Sequence, residues 1–297
     1  MAGEVPAYIL ALPCWQGPVT AEPLKGGLSN ESWKVTDAKG AHVARFGQDF
    51  PVHHVDRARE AMSARAAHAA GFAPEVEFSA RGVMVCAFIE ARTWAAADVR
   101  ANPERVGDLL RAFHRKLPAH VTGTPVIFWP FHVIRDYART LREGKSPFLP
   151  DVPRLLAMSE AFEAAQRPLP IIFGHHDLLP GNFLDDGQRL WLIDFEYAGF
   201  GTAMFDLAGA AANAEMDEPQ SQALLSAYFG SKPDEATWRA FDAMQGAALV
   251  RETMWAMVSD LHLAAPGADY KAYTAENLTR LTAFLHRYRD KYGTIPE

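Results

Sequence analysis

HHDLLPGNFLDDGQRLWLID, residues 175–194, sets an acid at Asp177, an amide at Asn182 and a second acid at Asp194 behind the apolar run Leu190-Trp191-Leu192-Ile193. Pro180 and Gly181 keep the segment out of a helix and force a tight loop, so Asp177 and Asn182 can face one spot. On its own, DLLPGN is a turn with an Asx cap. The apolar strand that follows, closed by IDFE, gives it a second meaning. Phosphoryl transfer from ATP needs one carboxylate to orient the attacking hydroxyl, with an amide and another carboxylate to hold Mg2+. Asn182 and Asp194 offer the hard oxygens that suit Mg2+ beside phosphate.

Upstream, the pattern alternates. Val19 to Leu24, Ser32 to Thr36 and His42 to Phe46 read as strands, with turn residues between them. Residues 54–70 switch to an Ala-rich helical pattern that Gly71 ends and Pro74 follows. Val76 to Phe78 and Val83 to Phe88 suggest two further strands about Ala80-Arg81-Gly82. Residues 1–90 therefore predict a small antiparallel sheet carrying one helix.

Past Glu90 helices dominate, over about 102–117, 131–143, 152–166, 203–214, 219–229, 234–263 and 270–291. Strands interrupt only near Ile171 to Phe173, Phe183-Leu184 and Leu190 to Ile193. Within 234–263, Trp238, Phe241, Met244, Ala248, Trp255, Val258 and Leu261 mark a core-facing stripe. The expectation is an α+β chain in two lobes: residues 1–90 as a β-rich lobe and 91–297 as a helical one, joined near Phe88 to Trp94.

Composition narrows the function. At 297 residues, 49% hydrophobic and 22% charged, the chain is an ordinary globular one. A net charge of −7 argues against non-specific binding to nucleic acid or anionic membrane. Cys14 and Cys86 stand far apart without CxxC or zinc spacing, which points to a reducing, cytoplasmic setting. The opening MAGEVPAYILALPCW fits neither a signal peptide nor a membrane span and reads as a short amphipathic helix. His175-His176 beside Asp177 lacks a third zinc ligand and any HExxH. GxxxxGK[ST] and GxGxxG are both missing.

The HxD(x4)N spacing resembles the catalytic loop of kinase-like phosphotransferases, which include aminoglycoside phosphotransferases and choline/ethanolamine kinases. IDFEYAG, from Ile193 to Gly199, resembles the metal-binding segment of the choline/ethanolamine kinases. The resemblance implies a protein-kinase-like fold, with Asp177 as base and Asn182 and Asp194 on Mg2+. It also has His175 supporting the loop and Asp206 bracing it. GGLSNESWKV resembles that family's nucleotide loop, which would set Gly26, Gly27, Ser29 and Asn30 around ATP; the bare reading is a hairpin turn. On the third strand it implies Arg45 as a phosphate holder, aimed by Glu60. Glu60 read alone is a surface partner in its helix. Met84, Phe88 and Ile89 fall on the strand that would line the adenine pocket, with Ala91 where the family often has glycine.

Arg251-Glu252-Thr253-Met254-Trp255 resembles the family's Trp-bearing helix. Trp255 and Tyr197, with Phe200 nearby, would then offer aromatic faces to a cationic acceptor. Glu196 or Glu215 would supply charge. Glu196 can equally reach a second metal ion, and Trp255 can be plain core. The implied activity is an ATP-dependent kinase acting on the hydroxyl of an amino alcohol such as choline or ethanolamine. Other readings are another small alcohol (an aminoglycoside or thiamine), a non-catalytic nucleotide-binding module, or a protein kinase. The last suffers from the missing APE-type segment and from His176 in place of the arginine of HRD.

Overall fold

A computed structural model describes residues 5–24, 30–263 and 268–293. Gly26, Gly27 and Ser29 lie outside the described residues. The chain starts with helix α1 (Ala7–Leu10), which buries Ile9 on a sheet made of β1 (Thr20–Leu24), β2 (Glu31–Thr36), β3 (Ala41–Phe46), β4 (Val76–Ala80) and β5 (Val83–Ala87). The strand order is β1-β2-β3-β5-β4, antiparallel throughout. Ile9, Val35, Ala44 and Val85 form its small separate core.

Helix α2 (Arg57–Ala69) is inserted between β3 and β4. It starts three residues later than the Ala-rich pattern suggests. His54 is left-handed at φ 61°, and Asp56 caps the helix by accepting from the Arg59 N–H at 2.8 Å.

After β5 come β6 (Arg92–Thr93), α3 (Ala96–Ala101), α4 (Pro103–Lys116), α5 (Pro130–Glu143) and α6 (Val152–Ala164). Next are β7 (Ile171–Gly174), β8 (Phe183–Asp185), β9 (Leu190–Leu192) and β10 (Gly199–Thr202). Helices α7 (Ala203–Ala214), α8 (Glu218–Phe229), α9 (Glu235–His262) and α10 (Tyr270–Tyr292) complete the described chain. Three of these elements carry little sequence signal: α3 and β6 are short, and β10 is a glycine-spaced strand paired to β7 and bridged at Phe200 to Ile127.

Helix α9 packs against α5, α6, α7 and α10 at once. It is buried nearly all round, and the predicted stripe widens to include Ala240, Ala247, Val250, Met254 and Met257. A Cβ at Gly246 would stand 2.5 Å from Phe162 Cζ and 2.7 Å from a Phe284 ring carbon, so glycine lets both neighbours close on α9. The architecture is α+β, a small antiparallel sheet beside a larger helical body, as the resemblance implies. Among the described residues no helix is long and apolar enough to cross a membrane.

Candidate active site

Strand β7 ends at Gly174 and delivers His175 to the centre of the helical body. Asp206, in the first turn of α7, accepts the backbone N–H groups of His175 at 2.8 Å and His176 at 2.7 Å, and His114 Nε2 at 2.8 Å. Burial alone would raise the Asp206 carboxyl. The charges of and hydrogen bonds from His176 and His114 hold it well below the usual carboxylate range instead. His176 is left-handed at φ 64°, and its ring fills space that a side chain at 174 would need: a Cβ on Gly174 would come within 2.4 Å of it.

His175 donates from Nε2 to the Ile193 carbonyl at 2.9 Å and accepts the Asp177 N–H on Nδ1 at 3.2 Å. Burial depresses its pKa, consistent with a neutral ring doing both. One histidine therefore ties the loop bearing Asp177 to the strand that ends at Asp194. Pro180–Asn182 forms a 3-10 turn, and Asn182 Nδ2 donates to the Asp177 carbonyl at 2.8 Å. The Asn182 carbonyl accepts from Ile193 N–H at 3.1 Å, just beyond the β8–β9 pair Phe183↔Leu192. The hairpin thus returns Asp194, in a left-handed conformation at φ 70°, beside Asn182.

The sheet contributes from the other side of the cleft. Arg45 on β3 donates to Asp194 Oδ1 at 2.7 Å, to Glu60 Oε1 at 2.8 Å and, more loosely, to Glu196 Oε2 at 3.4 Å. Arg57 donates to Glu60 at 2.6 Å and to Glu196 at 2.9 Å, and Asn30 reaches Glu196 at 3.4 Å. Arg59 adds a bond to the Glu196 carbonyl at 3.0 Å. Burial and the neighbouring Asp194 push the Glu196 carboxyl up, while Arg45 and Arg57 pull it back.

Asp177 differs from these acids. It is half-buried, and no described donor engages its carboxylate. Burial raises its pKa well above the usual value; Asp194 adds to this and Arg251 opposes it. A base with a raised pKa removes a proton with more driving force, provided it remains ionised at the working pH.

The residues suit a divalent ion that arrives with a ligand. Asn182 turns its amide nitrogen to the Asp177 carbonyl, which leaves Oδ1 on offer, and Arg45 takes only Oδ1 of Asp194. Among the described residues no group of three or more His, Cys, Asp or Glu side chains could hold a metal by itself. A site with one amide and one carboxylate oxygen matches Mg2+, which takes few protein ligands and completes its shell with phosphate and water.

The remaining candidates separate into two places. Asn30, Arg45, Glu60 and Met84 line one cavity of about 720 Å³. Met84 is the cross-strand neighbour of Arg45 on β5. Phe88 N–H donates to the Ala41 carbonyl at 3.0 Å, its ring lies 4.3 Å from Lys34 Nζ, and Ile89 beside it is half-buried. Asp177 lines a second, small recess with Arg251, Glu252 and Arg280. Near it, Trp255 Nε1 donates to the Tyr197 hydroxyl at 3.1 Å, and both rings are buried. Phe200 packs edge-on against Phe173 at 5.1 Å, and Glu215 is the exposed, left-handed cap of α7.

No sequence motif singles out Arg57 and Arg251, which the fold brings to the site. Arg57 stands one turn before Glu60, the i,i+3 spacing of a helical ion pair. Arg251 is a cation on the apolar face of a core helix, itself a signal of special surroundings.

Residues 20–243 match the model of the phosphotransferase enzyme family. A probable ethanolamine kinase from Arabidopsis thaliana is 26% identical over 209 residues, covering 63% of this chain and 54% of that protein. The chain thus spans about half the length of that curated relative. Among solved structures, a choline/ethanolamine kinase family protein from Mesorhizobium loti superposes with a TM-score of 0.76 at 30% identity, covering 94% of this chain and 92% of that one. Choline kinase LicA from Streptococcus pneumoniae gives 0.73 at 19% identity, covering 91% and 94%, a likeness of fold.

Proposed function

Since this chain belongs to the phosphotransferase enzyme family, alongside the choline/ethanolamine kinase family protein it resembles along nearly its whole length, we propose that it transfers the γ-phosphoryl group of ATP to the hydroxyl of a small alcohol, with amino alcohols such as choline and ethanolamine as the first candidates. The observation that carries this is the meeting of Asn182, Asp194 and Arg45 beside a carboxylate, Asp177, that no donor among the described residues engages.

In this reading Asp177 accepts the alcohol proton as the bond to phosphorus forms. The loose transition state demands little of the base, and most of the acceleration comes from alignment and charge neutralisation. Asn182 and Asp194 hold Mg2+, which when bound offsets charge on the phosphates. Arg45, aimed by Glu60, turns to the phosphate oxygens, and the strand with Met84, Phe88 and Ile89 carries the adenine. Residues 1–90 serve as the nucleotide half and 91–297 as the acceptor half. The free thiols of Cys14 and Cys86 fit a reducing cytoplasm.

Incubation with Mg-ATP and a panel of amino alcohols, followed by ADP release, tests the proposal. Nucleotide binding with no ADP from any acceptor would favour a non-catalytic module instead.

A further inference from the structure

Arg251 lies on α9 one turn before Trp255 and is only 5% exposed. Its guanidinium carbon sits 4.5 Å from the centre of the Tyr197 ring, and Nη1 donates to Glu252 Oε2 at 3.1 Å. The buried Tyr137 hydroxyl lies close to the guanidinium, yet Nε and Nη2 are buried with no well-formed hydrogen bond to any described residue. Unmade bonds on a buried cation are costly, so such donors call for an acceptor supplied from outside.

Arg251 lines the same recess as Asp177. Of the other carboxylates there, Glu252 is engaged at both oxygens, by Arg251 and by the Tyr273 hydroxyl at 2.8 Å, and Asp206 is engaged by two N–H groups and His114. Among the described residues, Asp177 alone of these has no donor. Arg280, also in the lining, makes long bonds to described residues, 3.4 Å to Asn277 Oδ1 and 3.3 Å to the Ala212 carbonyl. Two guanidinium groups thus face one unengaged carboxylate.

An ammonium group has poor prospects in this recess. Arg251 already covers the Tyr197 face, and the Trp255 ring is enclosed by His53 at 5.1 Å, Tyr270 at 6.1 Å and Tyr273 at 6.3 Å. The recess measures about 50 Å³, room for a group of a few heavy atoms.

We propose that the acceptor alcohol carries a carboxylate close to its hydroxyl and that Arg251, supported by Arg280, receives it. The substrate class is then hydroxy acids, including hydroxylated amino acids, taken in preference to quaternary ammonium alcohols such as choline. An amino alcohol that bears a carboxylate satisfies this and the wider proposal together. The inference rests on reading Asp177 as the base. The hydroxyl oxygen bonds to the γ-phosphorus, the bond from that phosphorus to the β–γ bridging oxygen breaks, the proton passes to Asp177, and ADP leaves. A carboxylate accepts two parallel N–H bonds from one guanidinium, which fixes the hydroxyl's position relative to Asp177.

Two measurements on the full chain test this: calorimetric binding of glycerate, serine, ethanolamine and choline to the Mg-ADP complex, and ADP release with each. Glycerate or serine should exceed ethanolamine and choline by about tenfold or more in affinity and in kcat/KM. Arg251→Gln should remove that preference, raising KM for the hydroxy acid far more than KM for ATP. Arg280→Gln, on a less buried side chain, should weaken hydroxy-acid binding in the same direction, and it decides the matter if the first variant does not fold. Equal or better use of choline, or a preference unchanged in both variants, overturns the proposal. Hydroxy-acid binding that depends on Arg251 without ADP from any acceptor would sustain the carboxylate seat and sink the phosphotransferase reading.

Discussion

Arg45 and Asp194, 149 positions apart in the chain, hold each other at 2.7 Å across the cleft between sheet and helical body. Glu60 takes the other arm of the same guanidinium at 2.8 Å. Lysine offers one point charge where arginine offers a fork. Arg45→Lys should therefore keep the fold but raise KM for ATP by about tenfold, and Arg45→Met should do more. Steady-state kinetics with ATP as the varied substrate reads the difference.

Asp177→Asn leaves size and hydrogen-bonding shape almost unchanged and removes the base. The expected loss is about 10²–10⁴ in kcat. Mg-ADP affinity, measured by calorimetry, should stay within about threefold of wild type, since no nucleotide contact is assigned to this side chain.

The raised Asp177 pKa has two consequences of opposite sense. As a base it must be ionised, so kcat/KM should rise with pH along an acid limb centred above the ordinary carboxylate range. As a folded-state group its ionisation opposes folding. That penalty develops as pH climbs from the unfolded value towards the raised one and then levels off. Asp177→Asn should accordingly raise the melting temperature relative to wild type above that limb and change it little below pH 4. Melting curves at several pH values would show whether the gain has this shape.

Asp206 works in the other direction. Its folded pKa is depressed, so its contribution is complete above the unfolded carboxylate value and is lost as pH falls through the folded one. Asp206→Ala strips two backbone N–H groups and His114 of their acceptor and should cost about 3–5 kcal/mol at neutral pH. Chemical denaturation measures that loss. Asp206→Asn, which can accept but carries no charge, should fall between.

Much of this architecture was legible because local patterns agree with the tertiary result. The alternating strands about Arg45, the Ala-rich α2 and the long α9 all declare their period, and the Arg45–Glu60 pair expected from the sequence lies at 2.8 Å. The short elements were not legible. Arg92–Thr93 is a strand only because β8 is there to pair with it, and Gly199–Thr202 becomes one against β7. Arg251 was in view, but its stacking on Tyr197 depends on a turn over fifty residues earlier in the chain, which periodicity does not encode.

That two-residue strand ties the chain leaving the sheet to the helical body. Arg92–Thr93 follows directly after the sheet and pairs with Leu184 and Asp185, the strand that leads out of Asn182. The link between the sheet and the helical body is thus stapled to the hairpin that bears Asn182 and Asp194. Were the crevice to open during the proposed reaction, Arg45 would move with the sheet while Asn182 and Asp194 stayed on one hairpin, keeping the spacing the proposed ion needs.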